Sequence, residues 1–510
     1  MASLYCKCFE VENIREAIKV VMSHEGSKTS GPDGINKDSK ISEERIIKEV
    51  KLRLRKYVKV NSRKVEIPKK DGSKRELTII NLYDRIAQQA VYQVIINIVE
   101  IKMSKHSYGF RPGINTKVAV SKIANHVCNK QEIYTVEIDF KKCFDNIPLD
   151  SALDMLRELG VRDGRLLSTI KHLMYTSREY SGVGISQGTI LGPLLCNCYL
   201  TKLDRFMEET FRLDEREGDY ARLYRRNKGK WIKWNLEHRG KVRGSYFRYV
   251  DDSIIVCCNK EEQEYIKEQV TEFIRNNLEI EINEAKTKYR KNEFDFLGFH
   301  LKKSKERNGA VWIRISEPER YLKKLDEFRF NTVEDTLRFV KWYRGIMYYY
   351  DIVNDMGFLI DRIQDRMYFR STKKTSIIRR TEDHKYELLE KDRKIEIDLY
   401  EIRKYSKVSF KDYLVKSIWL TRRELIKEKV WDNSYNLFHL ALWTKQKGKN
   451  PVTGKDLYIG DLVIHHINPR KKQGSNGLSN LMLIDKKTHD LIHGTGKCNA
   501  KIERLRKHLR

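Results

Sequence analysis

Residues Ser245–Cys258 read SYFRYVDDSIIVCC. Two apolar, β-prone runs flank two adjacent carboxylates, Asp251 and Asp252. The pattern predicts a buried hairpin, yet a hairpin tip is made more comfortably by Asn-Gly or Asp-Gly than by two like charges. A bound cation would remove the repulsion. A second predicted strand, Tyr134–Phe140, supplies a partner: VEIDF carries Asp139, and Phe144 and Asp145 follow in DFKKCFDNI. Asp139 and Asp251 together could hold two divalent ions about 3.5–4 Å apart, the spacing used in two-metal phosphoryl transfer. Either strand alone reads as well as a surface turn with solvated Asp residues; the two together point to a metal site.

The bulk composition agrees with chemistry on phosphates. The chain has 510 residues, too many for one core, so several domains are expected. Its formal charge is +30, from 101 basic and 71 acidic residues. Nucleic acid is the usual partner of such a surplus, because every phosphate neutralised releases a counterion. A basic membrane-surface protein is the alternative. No apolar run reaches spanning length, and MASLYCKCFEVENIREAIKV is charged too early for a secretory signal, so a soluble, intracellular protein is expected. Nine scattered Cys, two of them adjacent in a predicted strand, exclude a disulfide framework. With only eight Pro and 10% aromatic residues, the chain reads as folded and helix-rich rather than as a basic tail.

Texture along the chain predicts the segments. Residues 1–80 begin helical and end in the hairpin VEIPKKDGSKRELTII, with Asp71-Gly72 at its turn. LYDRIAQQAVYQVIINIVE is an amphipathic helix, and LDSALDMLRELG is another. From about 310 to 405 the pattern is helical, basic and rich in Tyr and Trp. Trp342, Tyr343, Tyr348, Tyr349 and Tyr350 read mostly as the packing of a helical bundle, with the interleaved Lys and Arg as its outer face, either simply solvated or available to phosphates. From about 440 Gly, Asn and His appear and helical periodicity fades.

At YVDD the chain resembles reverse transcriptases, and its surroundings resemble the group II intron reverse transcriptases, or maturases. GPDGI and KRELTIINLYDRIAQQAV are similar to the early finger blocks, and SYGFRPG (Ser107–Gly113) is typical. VEIDFKKCFDNI, GISQGTILGPLLCN (Gly184–Asn197), NEAKTKYRKNEFDFLGFHL and FVKWYRGIMYYYDIV follow in the family's order, the last resembling the thumb, or maturase, block. Three departures stand out: Val250 where Ala is usual, and Thr189 and Gly192 where Gly and Ser are common. The resemblance implies an α+β multidomain protein: a right-hand polymerase of fingers and palm, a helical thumb, and a small C-terminal domain. It implies Asp139 and Asp251, assisted by Asp252, as ligands of two Mg²⁺ ions. Phe144 would be the steric gate that excludes a 2′-hydroxyl, or else a core Phe. Lys74, Arg75 and Arg111 would hold the triphosphate, or else serve as surface ion-pair partners. Gln187 and Gly188 would let the backbone approach the template pair, and Lys286 would approach the leaving pyrophosphate.

VIHHINPRKKQGSNGLSNLMLIDKKTHDLIHG (Val463–Gly494) concentrates four of the 13 His. His489 and His493, four apart, share one helical face. With His465 they could make a three-ligand set with open positions, leaving His466 as a base. The stretch resembles an HNH nuclease, a ββα-metal fold binding one divalent metal, with Asn480 as the central Asn that braces the loop. Helix-capping and core histidines are the alternative reading. Asn450, Thr453 and Thr488 stand where such domains often carry the Cys of a structural zinc site. The expected organisation is therefore 1–80 N-terminal extension and early fingers, 81–305 fingers and palm, 306–405 thumb, 406–440 DNA-binding region and 441–510 HNH domain. The expected function is a group II intron-encoded RNA-directed DNA polymerase, splicing cofactor and DNA endonuclease. Its partners would be intron RNA, target DNA and dNTPs, as monomer or dimer, in a bacterial cytoplasm or an organelle. The rivals are a maturase acting mainly as an RNA-binding splicing factor, and a defence or retron reverse transcriptase.

Overall fold

The computed structural model describes residues 3–55, 62–68, 72, 74–128, 130, 132–175, 183–213, 243–304, 310–329, 332–354, 356–371, 378–381, 386–390 and 393–397. Beyond these it describes 439, 442–443, 445–446, 449–455, 457, 462–469, 479–494 and 500–509. The turn residue Asp71, the expected DNA-binding stretch up to residue 438, and Cys498 lie outside the described residues. The described chain divides into two compact units, one comprising Ser3–Arg111 and Tyr134–Tyr289, the other Pro112–Ile133 and everything from Arg290 on. Residues 112–133 and 290–305, expected with the fingers and palm, thus group with the second unit.

The first unit opens with three helices, α1 (Leu4–Cys8), α2 (Val11–Ser23) and α3 (Glu43–Arg55), around α4 (Leu82–Glu100). An amphipathic face is predicted for α4, but its buried positions run nearly all round it, from Leu82 and Asp84 to Gln88, Val91, Ile96 and Glu100. The cause is its surroundings: α1, α2 and α3 pack on it, as does the helix Gly164–Met174. The hairpin forms as expected, with β1 (Ser62–Pro68) antiparallel to β2 (Lys74–Ile80). The central sheet follows the order β4-β5-β6-β3-β7. Here β3 is Tyr134–Ile138, β4 Arg212–Leu213, β5 Arg243–Tyr249, β6 Asp252–Cys257, and β7 begins at Lys288. Ser253–Cys257 are all buried, as befits a central strand covered on both faces.

In the second unit, β8 (Glu293–Phe296), β9 (Phe299–Lys303) and β10 (Val311–Ile315) form an antiparallel meander. The β8–β9 turn has positive φ at both Leu297 and Gly298, the pattern of a type I′ turn. Tyr349 Oη donates to the Leu297 carbonyl at 3.0 Å, and Phe299 stacks against Tyr349 at 5.5 Å between centroids. The Tyr run therefore holds this turn. Tyr343 and Tyr350 are buried, whereas Tyr348 is 59% exposed. The stretch 310–405 is not helical throughout. β10 falls in it, and so does a sheet of β11 (Ile378–Arg380), β12 (Tyr386–Glu390) and β13 (Arg393–Ile397). VWIRI and RKIEI alternate apolar with polar residues, a period of two that wins locally over the basic, helical texture around it.

Candidate active sites

The hairpin puts the carboxylates where the sequence predicts. Tyr249 pairs with Asp252, so Val250 and Asp251 are its two central residues. On the other side of β6, Ile138 pairs with Ser253, which brings Asp139 to the same end of the sheet. Val250 has φ +63°, the positive first position of a type II′ turn. For a β-branched residue this is strained backbone. What holds it is a buried network. Arg248 forms a fork on Asp204, with Nε to Oδ1 at 2.7 Å and Nη2 to Oδ2 at 2.6 Å. Its Nη1 donates to the Val250 carbonyl at 2.9 Å and to Asn197 Oδ1 at 2.8 Å. Arg248 and Asp204 are each 1% exposed. Asn197 in turn donates to the Gly109 carbonyl at 2.7 Å. A Cβ on Gly109 would lie 2.5 Å from Val250 Cγ2, so only glycine lets the SYGFRPG loop back the hairpin tip. Sequence reasoning missed Arg248, Asp204 and Asn197; a lone Arg in an apolar strand run, RYVDD, was the available signal.

Burial raises the Asp251 carboxyl above the usual range. The charge of Asp139 adds to this, and the cations Arg75 and Arg248 oppose it. Two carboxylates that repel in a half-buried site form a donor set suited to divalent ions. Asp252 is exposed beside them. Asn283 N–H donates to the Asp139 carbonyl at 2.7 Å, and the Lys286 N–H closes the next turn on Asn283 at 3.0 Å. The Lys286 block is thereby tied to Asp139. Phe144 is half-buried, and its carbonyl accepts from Ile185 N–H at 2.6 Å, joining the gate position to the Gln-Gly block.

Two of the three positions expected to hold the triphosphate or else to form ion pairs form ion pairs, Arg111 in the interior rather than at the surface. Arg111 is buried and spends its guanidinium on Glu100 (2.7 Å) and on the carbonyls of Ser104 and Ser107, both at 2.6 Å. It fixes its own loop and is not presented to a triphosphate. Lys74 pairs with Glu66 across the β1–β2 hairpin. Gly188 has φ +101°, and a Cβ there would lie 2.5 Å from the Thr78 carbonyl oxygen. The Gln187 carbonyl accepts from Thr78 N–H at 2.8 Å. The close backbone approach that Gly188 permits is therefore to β2. The departures Thr189 and Gly192 compensate each other: Thr189 Oγ1 donates to the Ser186 carbonyl at 2.9 Å. A Cβ on Gly192 would sit 2.7 Å from that hydroxyl.

Residues 67–301 match the reverse transcriptase (RNA-dependent DNA polymerase) family model. The matched span contains Asp139, Asp251 and Asp252 and most of the positions described above. The chain is 30% identical to the group II intron-encoded protein LtrA of Lactococcus lactis subsp. cremoris, over 53% of this chain and 51% of LtrA. It is 28% identical to a COX1/OXI3 intron 2 protein of Saccharomyces cerevisiae, over 61% of this chain and 39% of that protein. It thus spans about half of the length of LtrA and less of the yeast protein. A telomerase structure from Candida albicans aligns over 78% of this chain and 64% of that chain, with 13% identity and a TM-score of 0.36.

The His cluster lies beyond residue 301, in the second unit. β14 (Leu462–His466) pairs antiparallel with β15 (Leu481–Asp485), and α14 (Lys486–His493) follows at once, a ββα order. Ring nitrogens of His465, His489 and His493 lie within 4.8 Å of one another. His465 is buried, and its Nε2 has no hydrogen-bond partner among the described residues. Burial, joined by His493, His489 and His466, pulls the His465 imidazole down to about 4. Burial also lowers His493. Neutral imidazoles around an unpartnered buried nitrogen fit a divalent metal. His466 ends β14, half-buried. Asn480 accepts from Asn468 N–H at 2.8 Å and donates back to the Asn468 carbonyl at 3.0 Å, bracing the loop after the His pair.

Proposed function

We propose that the chain is a group II intron-encoded protein with three activities: RNA-directed DNA polymerase, splicing cofactor for its intron RNA, and HNH DNA endonuclease. The observation that carries this reading is the convergence of Asp139 and Asp251 on one end of the sheet, inside the span that matches the reverse transcriptase family model. Asp139 and Asp251 would hold two Mg²⁺ ions, with Asp252 assisting. Bound there, the ions would neutralise charge on the attacking and leaving oxygens of phosphoryl transfer. The chain's own work is positional. Arg248 holds the Val250–Asp251 turn, and the Asn283 amide holds the backbone at Asp139. Phe144, half-buried beside the Gln-Gly block, excludes a 2′-hydroxyl. Arg75, whose charge reaches Asp251, would meet the triphosphate, and Lys286 would approach the leaving pyrophosphate.

The charge of +30 and the likeness to LtrA support intron RNA and target DNA as partners. His465, His489 and His493 would hold one divalent ion, which supplies a polarised phosphate and an acidified water. His466 is placed to accept a proton from an attacking water, and Asn480 would keep its loop in place. Nicking of target DNA would create the primer for DNA synthesis. The test is extension of an annealed DNA primer on an RNA template by the purified chain with Mg²⁺ and dNTPs. Template-length DNA supports the reading; no extension under conditions where the chain binds the template overturns it.

A further inference from the structure

The turn Asn450–Lys455 carries no thiol, yet it is tied tightly to the helix that bears two of the three clustered histidines. Asn450 is fully buried and spends its whole side chain. Its amide donates to Asp485 Oδ2 at 2.6 Å and to Thr488 Oγ1 at 3.0 Å. Its carbonyl oxygen accepts from the N–H groups of Val452 and Thr453, at 2.8 and 3.2 Å. Its backbone closes the turn in both directions, N–H to the Lys455 carbonyl and carbonyl to Gly454 N–H, each at 2.8 Å. Asp485 is the N-cap of α14 and accepts from Thr488 N–H at 2.7 Å. The Thr488 hydroxyl donates to Asp485 Oδ2 at 3.0 Å and is itself reached by Asn450. Burial alone would raise the Asp485 carboxyl; the hydrogen bonds from Thr488 and Asn450 outweigh it and hold the group below the usual range.

The network has a place in the site's geometry. His465 lies on β14 opposite Met482 of β15, and β15 runs directly into α14 at Asp485. The direction in which α14 leaves β15 therefore sets His489 and His493 against His465. The far end of α14 is fixed as well, because Arg506 donates to the Leu491 carbonyl at 2.7 Å. Beneath lies a small core of Val452, Met482, Ile484, Ile492 and Ile502. So small a core needs a further fastening to hold three side chains in register. We propose that Asn450, Asp485 and Thr488 form a hydrogen-bonded clasp, complete without any ion, that positions His489 and His493 against His465. The positioning role rests on the reading of these three histidines as a metal site.

Two measurements on the full-length protein separate the clasp from that reading. The first is hydrogen exchange in excess chelator. The amides of Val452, Thr453 and Thr488 are protected in the chelated wild type and lose protection in Asn450→Ala. Open-chain exchange after chelation, with protection restored by added zinc, would mean that an ion builds the fold and would overturn the clasp. The second is titration with Co²⁺, whose visible absorption on imidazole ligands is lost in His489→Ala. Asn450→Ala and Thr488→Val weaken Co²⁺ binding by about 10- to 100-fold, the usual effect of removing a group that orients metal ligands. Thr488→Ser, which keeps the hydroxyl, binds as the wild type does. Primer extension is unchanged in all three clasp variants. Unchanged Co²⁺ affinity in Asn450→Ala and Thr488→Val would overturn the positioning role. Protected amides with no Co²⁺ absorption in the wild type would establish the clasp while overturning the metal reading, and with it the positioning.

Discussion

Thr189 and Gly192 show how two departures from a resembled pattern can be coupled through the space they share. The larger side chain at 189 takes the space that the missing Cβ at 192 leaves. Gly192→Ser alone should therefore crowd the Thr189 hydroxyl and lower both stability and DNA synthesis, by about 1–3 kcal/mol in urea melts. The double change Thr189→Gly with Gly192→Ser should recover most of the loss, as coupled neighbours do. Additive losses would contradict the compensation. Asp251 makes a second prediction. Its raised carboxyl keeps its proton to a higher pH than a free Asp, near 3.9. A divalent ion must displace that proton, so Mg²⁺ affinity falls as pH falls through the raised value. The same shift favours the protonated fold, so Asp251 costs stability above that value rather than below it. Arg75→Gln removes one opposing charge and should move the acidic limb of the Mg²⁺-dependent rate to higher pH. A change in dNTP KM with an unmoved limb would assign Arg75 to the triphosphate alone.

The Val250–Asp251 hairpin is an element whose shape is set from outside itself. A β-branched residue at φ +63° persists because Arg248 anchors its carbonyl and Gly109 gives its side chain room. Arg248→Met leaves the buried Asp204 without its ion-pair partner and with only the Tyr246 hydroxyl donating to it, a loss of about 3–5 kcal/mol. Arg248→Met with Asp204→Leu should regain that stability, because an apolar pair replaces the ion pair, but not polymerase activity, because nothing then holds the Val250 carbonyl. Denaturation and primer extension on the two variants test this; full activity in the double variant would show the clamp to be structural only. At this scale the sequence was most legible where a pattern is local. The apolar runs flanking Asp251, the hairpin from Val65 to Ile80, and the i, i+4 spacing of His489 and His493 all declare themselves within a few residues. Arg248 with Asp204, Gln88 bonded to the Ile190 amide at 2.9 Å, and Asn450 with Asp485 do not. Their partners lie tens of residues away, and a polar side chain in an apolar run gives no hint of which one. Arg111 misled for the same reason: its charge suggested phosphate, but Glu100 neutralises it in the interior.

Across the whole chain the dominant quantity is the charge of +30. If it is used on phosphates, log affinity for RNA should fall steeply with log salt, by a slope of about −0.7 for each single-strand phosphate neutralised. A slope near zero would remove the electrostatic basis of the RNA partnership. The C-terminal module should respond to acid separately. The depressed Asp485 carboxyl contributes stability that is present above about pH 3.9, the unfolded value, and lost as pH falls through its folded value. Amide protection at Val452 and Thr488 should fade in that window. The claim on which the rest depends is that Asp251 belongs to the polymerase centre and not to RNA binding. The direct measurement is Asp251→Ala assayed side by side for primer extension on an RNA template and for splicing of the intron RNA. DNA synthesis should be abolished while splicing is largely retained. Persistent synthesis, or loss of both activities in a variant that melts like the wild type, would contradict it.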